Sequence, residues 1–167
     1  THAMFAAKVG TYGQSEATLT EPLLQALEPG MLLTADRAFF SYALWRRAIG
    51  TGADLLWRVR TDSAGPKPTH LDDLADGSWL AHLRSNATAA ARRQEPMLVR
   101  VVDYTIDDGR ANAVSYRLFT TLTDPEEVSA SDLAAAYTQR WEIEVAFDEL
   151  KTHQRGPRTV LRSKSPD

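Results

Sequence analysis

Apolar positions recur along this chain with two periods, and the changes between them mark out its elements. Phe5 to Val9 is a weak strand candidate, ended by the turn-rich Gly10-Thr11-Tyr12-Gly13. Ser15 is placed to cap a helix from Glu16 to about Leu27, with Leu19, Leu23, Leu24 and Leu27 at helical spacing. Pro29-Gly30 stops that helix. Met31 to Ala35 then reads as a short buried strand that delivers Asp36 at its end. Phe39 to Ile49 is an apolar-periodic helix ended by Gly50, and Asp54 to Arg60 is a second strand around Leu55-Leu56-Trp57. The strand–helix–strand order predicts parallel neighbours joined by a crossover.

Beyond Arg60 the pattern changes. Thr61 to His70 holds Gly65, Pro66 and Pro68 and is expected to be a loop. Met97 to Ile106 reads as a strand, and Asp107-Asp108-Gly109 turns the chain into another, roughly Ala113 to Leu122. Residues 61–122 thus form a β-rich insertion. Asp124-Pro125 opens a helical turn, and Ser129-x-x-Asp132 has the form of a capping box at the start of a long helix reaching about His153. Gly156-Pro157 ends that helix, leaving residues 156–167 as an unfinished tail.

Composition narrows the class. The chain has 167 residues, 43% apolar and 25% charged, ordinary values for a folded α/β protein. It has no cysteine, which excludes disulfides, a thiolate zinc site and a cysteine nucleophile. The apolar runs are too short to span a membrane. The opening residues carry neither a signal-peptide pattern nor an initiating methionine, so a fragment or processed product of an intracellular protein is expected. The net charge of −3 hides a segregation. Residues 37–60 carry Arg37, Arg46, Arg47, Arg58 and Arg60 against Asp54 alone, whereas 61–136 carry seven basic and twelve acidic groups. Such a basic strip suits a polyanion, and it equally suits a solvated surface.

The long helix holds the most informative pattern. At about 100° per residue, Tyr137, Arg140, Glu144 and Lys151 share an arc of about 60°. Ile143, Phe147 and Leu150 lie beside that arc and are expected to pack on the core, while Glu142 and Glu149 point away from it. A carboxylate flanked by Arg, Lys and Tyr at the edge of a buried face suits a phosphate site with a bound cation. A salt-bridged exposed face would give the same stripe. Asp36 lies at the carboxyl end of an apolar strand, where open α/β sheets place their ligands, or else caps the helix that follows. Two such carboxylates from separate elements can share divalent metals and activate a water or hydroxyl for attack on phosphorus.

Tyr137-x2-Arg140-x3-Glu144-x6-Lys151 resembles the Tyr-Arg-Glu-Lys signature of DDE transposases from bacterial insertion sequences, in the insertion-sequence-four branch. Leu33-Thr34-Ala35-Asp36-Arg37-Ala38-Phe39-Phe40 is similar to that family's segment around the second catalytic Asp, and the likeness extends over nearly the whole chain. The resemblance implies a ribonuclease H-like fold with a β-rich insertion between the second Asp and the Glu. It implies cleavage of phosphodiester bonds at element ends, followed by attack of the freed 3′-hydroxyl on target DNA. It also implies Mg²⁺, with Mn²⁺ able to substitute. On this reading Asp36 and Glu144 are catalytic metal ligands, Arg37, Arg140 and Lys151 hold DNA phosphates, and Tyr137 positions the strand by stacking or a hydrogen bond. The implied partners are transposon ends and target DNA, with a homodimer in the full-length protein, no membrane, and a bacterial cytoplasmic, nucleoid-associated setting.

One departure matters. The family's first Asp belongs on a strand upstream of Asp36, and residues 1–35 contain no Asp. The expectation is therefore an incomplete ribonuclease H-like domain: residues 1–60 as partial core, 61–122 as insertion, 123–155 as the C-terminal helix of the core and 156–167 as a truncated tail. Such a piece is expected to be inactive alone, because the three carboxylates act as a unit. The competing readings are a non-catalytic DNA-binding remnant and a degenerate remnant that barely folds. No paired histidines, no Gly-x-Ser-x-Gly elbow and no phosphate-binding Gly-x4-Gly-Lys-Ser/Thr loop point elsewhere. The four tryptophans read mainly as packing residues.

Overall fold

A computed structural model describes residues 20–85, 87–106 and 114–140. Among these residues six strands form one sheet: β1 (Leu32–Ala35), β2 (Asp54–Val59), β3 (Thr69–Asp73), β4 (Trp79–Leu83), β5 (Met97–Ile106) and β6 (Val114–Thr120). Their order across the sheet is β1-β2-β6-β5-β4-β3. The β1–β2 pair is parallel, with Leu33 opposite Leu55, and the other four junctions are antiparallel. The strands of the β-rich stretch therefore continue the sheet that β1 and β2 begin.

The crossover helix α1 (Tyr42–Ile49) links β1 to β2, as the strand–helix–strand rhythm predicts. It starts three residues later than the apolar periodicity suggests. Ser41, in extended conformation, accepts a hydrogen bond on Oγ from the Leu44 N–H and so sets the first turn. Phe39 instead closes a tight turn, its N–H donating to the Asp36 carbonyl at 3.0 Å. The helix predicted over Glu16–Leu27 is, in its described part, a 3-10 helix over Glu21–Ala26 with Pro22 near its start. The predicted strand Phe5–Val9 and everything after residue 140 lie outside the described residues.

Two strands have no counterpart among the predicted elements. The loop expected to reach His70 ends earlier, because Thr69 and His70 already belong to β3. All five residues of β3 are exposed, so no apolar alternation announces it. β4 pairs between β3 and β5 and buries Ala81 and Leu83. A short helix α2 (Ala89–Arg92), capped by Thr88, leads on to β5. β5 occupies the predicted residues, and β6 falls inside the predicted range.

Each face of the sheet carries its own core. Leu55, Trp57, Val99, Val101 and Phe119 pack with Leu44, Trp45 and Ala48 of α1 on one side. On the other, Leu56, Val102 and Leu118 meet Leu133 and Tyr137. The last two come from α3, helical over residues 130–140, and are four positions apart on one helix face. No helix among the described residues is long and apolar enough to cross a membrane.

Candidate functional site

Strand alternation decides where Asp36 points. Leu33 and Ala35 pack toward α1, so Thr34 and the residue after the strand, Asp36, belong to the α3 face. Leu56 and Arg58 of β2 share that face, as do Leu118 and Tyr116 of β6 and Val102 and Tyr104 of β5. Asp36 does not cap α1; Ser41 does.

Among the described residues three groups converge on Asp36, all at Oδ1. The Arg37 amide donates at 2.7 Å, the Tyr137 hydroxyl lies at 3.5 Å, and an Arg58 guanidinium nitrogen lies at 3.8 Å. The Asp36 side chain is 32% exposed and Arg58 16%, so the pair sits at a boundary between core and solvent. Tyr137 is buried to 1% exposure. Burial, with the Asp36 charge adding to it, pushes its phenol up to about 12 against the opposing influence of Arg140 and Arg58. The hydroxyl is therefore a neutral donor at physiological pH.

Arg140, one turn further along α3, lies with its guanidinium carbon 5.4 Å from the Tyr137 ring centroid. Arg140 and Asp36 both line a cavity of about 280 Å³, with Thr34, Phe39 and Trp57. The sequence pattern thus brings Asp36, Tyr137 and Arg140 to one place from elements far apart in the chain. Arg37 is exposed and turns to a different cavity, with Phe40, Ser41 and Arg60. Glu144 and Lys151 lie outside the described residues.

Arg58, Tyr116 and Tyr104 are site neighbours that the sequence pattern does not single out. The Arg58 guanidinium carbon lies 4.2 Å from the Tyr116 ring centroid, and Tyr116 stacks on Tyr104 at 5.3 Å with 19° between the planes. Alternation from Leu56 carries the signal for Arg58, but placing Tyr116 beside it requires the β2–β6 pairing, which no local pattern encodes. Among the described residues no three His, Asp or Glu side chains converge on one point. The donor chemistry at Asp36 nevertheless suits a hard cation, because it is a partly exposed carboxylate that lines the cavity.

Comparison with known proteins gives the family. Residues 1–165 match the family model described as the transposase DDE domain. Over 166 residues the chain is 26% identical to the transposase InsG for insertion sequence element IS4 of Escherichia coli (strain K12), covering 99% of this chain and 37% of that protein. The chain thus spans little more than a third of this relative's length. With the family model covering residues 1–165, nearly the whole chain, this protein belongs to the transposase DDE-domain family.

Proposed function

We propose that this chain forms part of the catalytic core of a DNA transposase of the insertion-sequence type, acting on transposon ends and target DNA. The observation that carries this reading is the meeting of Asp36 with Tyr137, 101 positions away in the chain. In this assignment the sheet and α3 form a ribonuclease H-like domain, with residues 61–122 as its β-rich insertion and 123–155 as its terminal helix. Asp36 and Glu144 would hold the divalent cation, Mg²⁺ or Mn²⁺. A cation held there would supply Lewis-acid stabilisation of the charge that develops on phosphate oxygens.

The protein's own side chains do the rest. The Arg37 amide and the Tyr137 hydroxyl hold Asp36 in one orientation through Oδ1. Arg140 and Lys151 take DNA phosphates by charge-assisted hydrogen bonds, and Arg37 does so from the neighbouring cavity. Arg58 places a positive charge beside the carboxylate and offsets part of its field toward an incoming phosphate. Because residues 1–35 contain no Asp, the chain supplies two of the family's three carboxylates and is expected to bind DNA without cutting it. The full-length protein would work in the bacterial cytoplasm as a homodimer on two DNA ends.

Titration of the chain with Mn²⁺, followed by the loss of the free-ion resonance signal, tests the assignment. Asp36→Asn and Glu144→Gln are each expected to weaken Mn²⁺ binding by about tenfold or more. Substituting Arg140 and Lys151 together with Ala should lower the salt dependence of duplex-DNA binding by about two units of slope. Carboxylate variants that bind Mn²⁺ like the parent chain would sink the reading.

A further inference from the structure

Arg100 is a charged side chain with no access to solvent, at 0% exposure in the middle of β5. A lone arginine in a strand of valines is expected to point to water, and this one does not. Its Nε donates to Ser78 Oγ at 2.8 Å. Its Nη1 donates to the carbonyls of Leu122, Asp124 and Val128, the last at 2.8 Å. Its Nη2 is paired with the Asp76 carboxylate.

Asp76 is engaged from the other side as well. It lies in the turn between β3 and β4, next to Gly77, whose φ of +82° suits glycine. One carboxylate oxygen receives the Ser78 hydroxyl at 2.6 Å and the Ser78 N–H at 3.2 Å. The other receives, besides Arg100, the N–H of Ala130 at 2.6 Å. Ala130 is the first residue of α3. One ion pair, buried on its arginine side and partly exposed at Asp76, therefore ties together the β3–β4 turn, β5, the connector from Leu122 to Val128 and the start of α3.

A buried ion pair is a poor means of gaining stability, since a well-packed apolar pair often does as well. What it supplies is a single geometry, because each nitrogen of the guanidinium has a fixed acceptor. Seven residues after Ala130, about two helical turns, α3 presents Tyr137 to Asp36. We infer that Asp76 and Arg100 are positioning residues: they fix the start of α3 against the sheet and so set where Tyr137 and Arg140 stand relative to Asp36. Its importance for DNA chemistry rests on the function proposed above; the positioning itself does not.

The test uses the chain without DNA or metal. Amide exchange on the unaltered protein is expected to give Ala130 protection within about tenfold of the β5 amides, since both open only with the whole sheet. Exchange at Ala130 faster than that would overturn the inference, whatever any variant does. The double variant Asp76→Leu/Arg100→Met, labelled with 3-fluorotyrosine and assigned through Tyr137→Phe, separates positioning from simple stability. It is expected to melt cooperatively, with the Tyr137 fluorine resonance displaced from its enclosed position. A cooperative variant with an unmoved Tyr137 resonance would reduce the pair to ordinary core structure. If the variant fails to fold, the exchange at Ala130 remains the measurement that can overturn the inference. Asp36→Asn with unchanged Mn²⁺ binding beside a protected Ala130 would remove the site assignment and leave the clamp standing.

Discussion

At the scale of single residues, the two central tryptophans show how packing and polarity compete. Trp45 and Trp57 meet edge to face at 5.1 Å between α1 and the sheet, both fully buried. Neither indole nitrogen has a hydrogen-bond partner among the described residues. Trp45→Phe keeps most of the aromatic contact and deletes an unpaired donor, so it is expected to cost under about 1 kcal/mol. Trp45→Ala empties the same space and should cost about 3–5 kcal/mol. Urea melts of the two variants check the contrast. At this scale the sequence is legible where chemistry and spacing coincide, as for Asp36, Tyr137 and Arg140. It is silent on the surroundings of Arg58 and Arg100, because alternation within a strand does not say which face another strand or helix will cover.

At the scale of elements, α3 depends on its first turn. Ser129 accepts the Asp132 N–H at 3.2 Å and donates to the Asp132 carboxylate at 2.6 Å, in keeping with the capping signal read from Ser129-x-x-Asp132. Ser129→Ala is expected to cost about 1 kcal/mol. The loss should appear as faster amide exchange at Asp132 and Leu133 while β5 and β6 stay protected. A strand buried on both faces is easy to foresee: β2 is built around the apolar run Leu55-Leu56-Trp57, all buried. β3 is not, since Thr69-His70-Leu71-Asp72-Asp73 is exposed throughout and owes its extension to pairing with β4. The periodicity places α1 correctly but begins it too early, because Phe39 and Phe40 satisfy the helical period from a turn.

For the molecule as a whole, the buried pair sets a limit in acid. Burial alone would raise the Asp76 carboxyl, but hydrogen bonds from Ser78 and Ala130 and the Arg100 charge hold it down to about 2. A carboxylate whose folded value lies below its unfolded one stabilises the fold above the unfolded value and loses that contribution as pH falls toward the folded one. About 2 kcal/mol of stability should therefore disappear between roughly pH 4 and pH 2. Asp76→Asn should flatten that part of the stability–pH curve, as read from denaturant melts at a series of pH values.

The strand order also governs how the chain comes into being. β2 holds β1 on one side and β6 on the other, with Val59 opposite Arg117. The strand ending beside Asp36 is thus completed by one made much later, and a long loop must close before that contact gains anything. During synthesis, β1, α1 and β2 are all made before the strand that completes the second edge of β2. Only when β6 docks does the sheet close over Leu56 and Trp57, and α3 can then settle on a finished surface. The carboxylate that ends β1 is translated early and acquires its surroundings last.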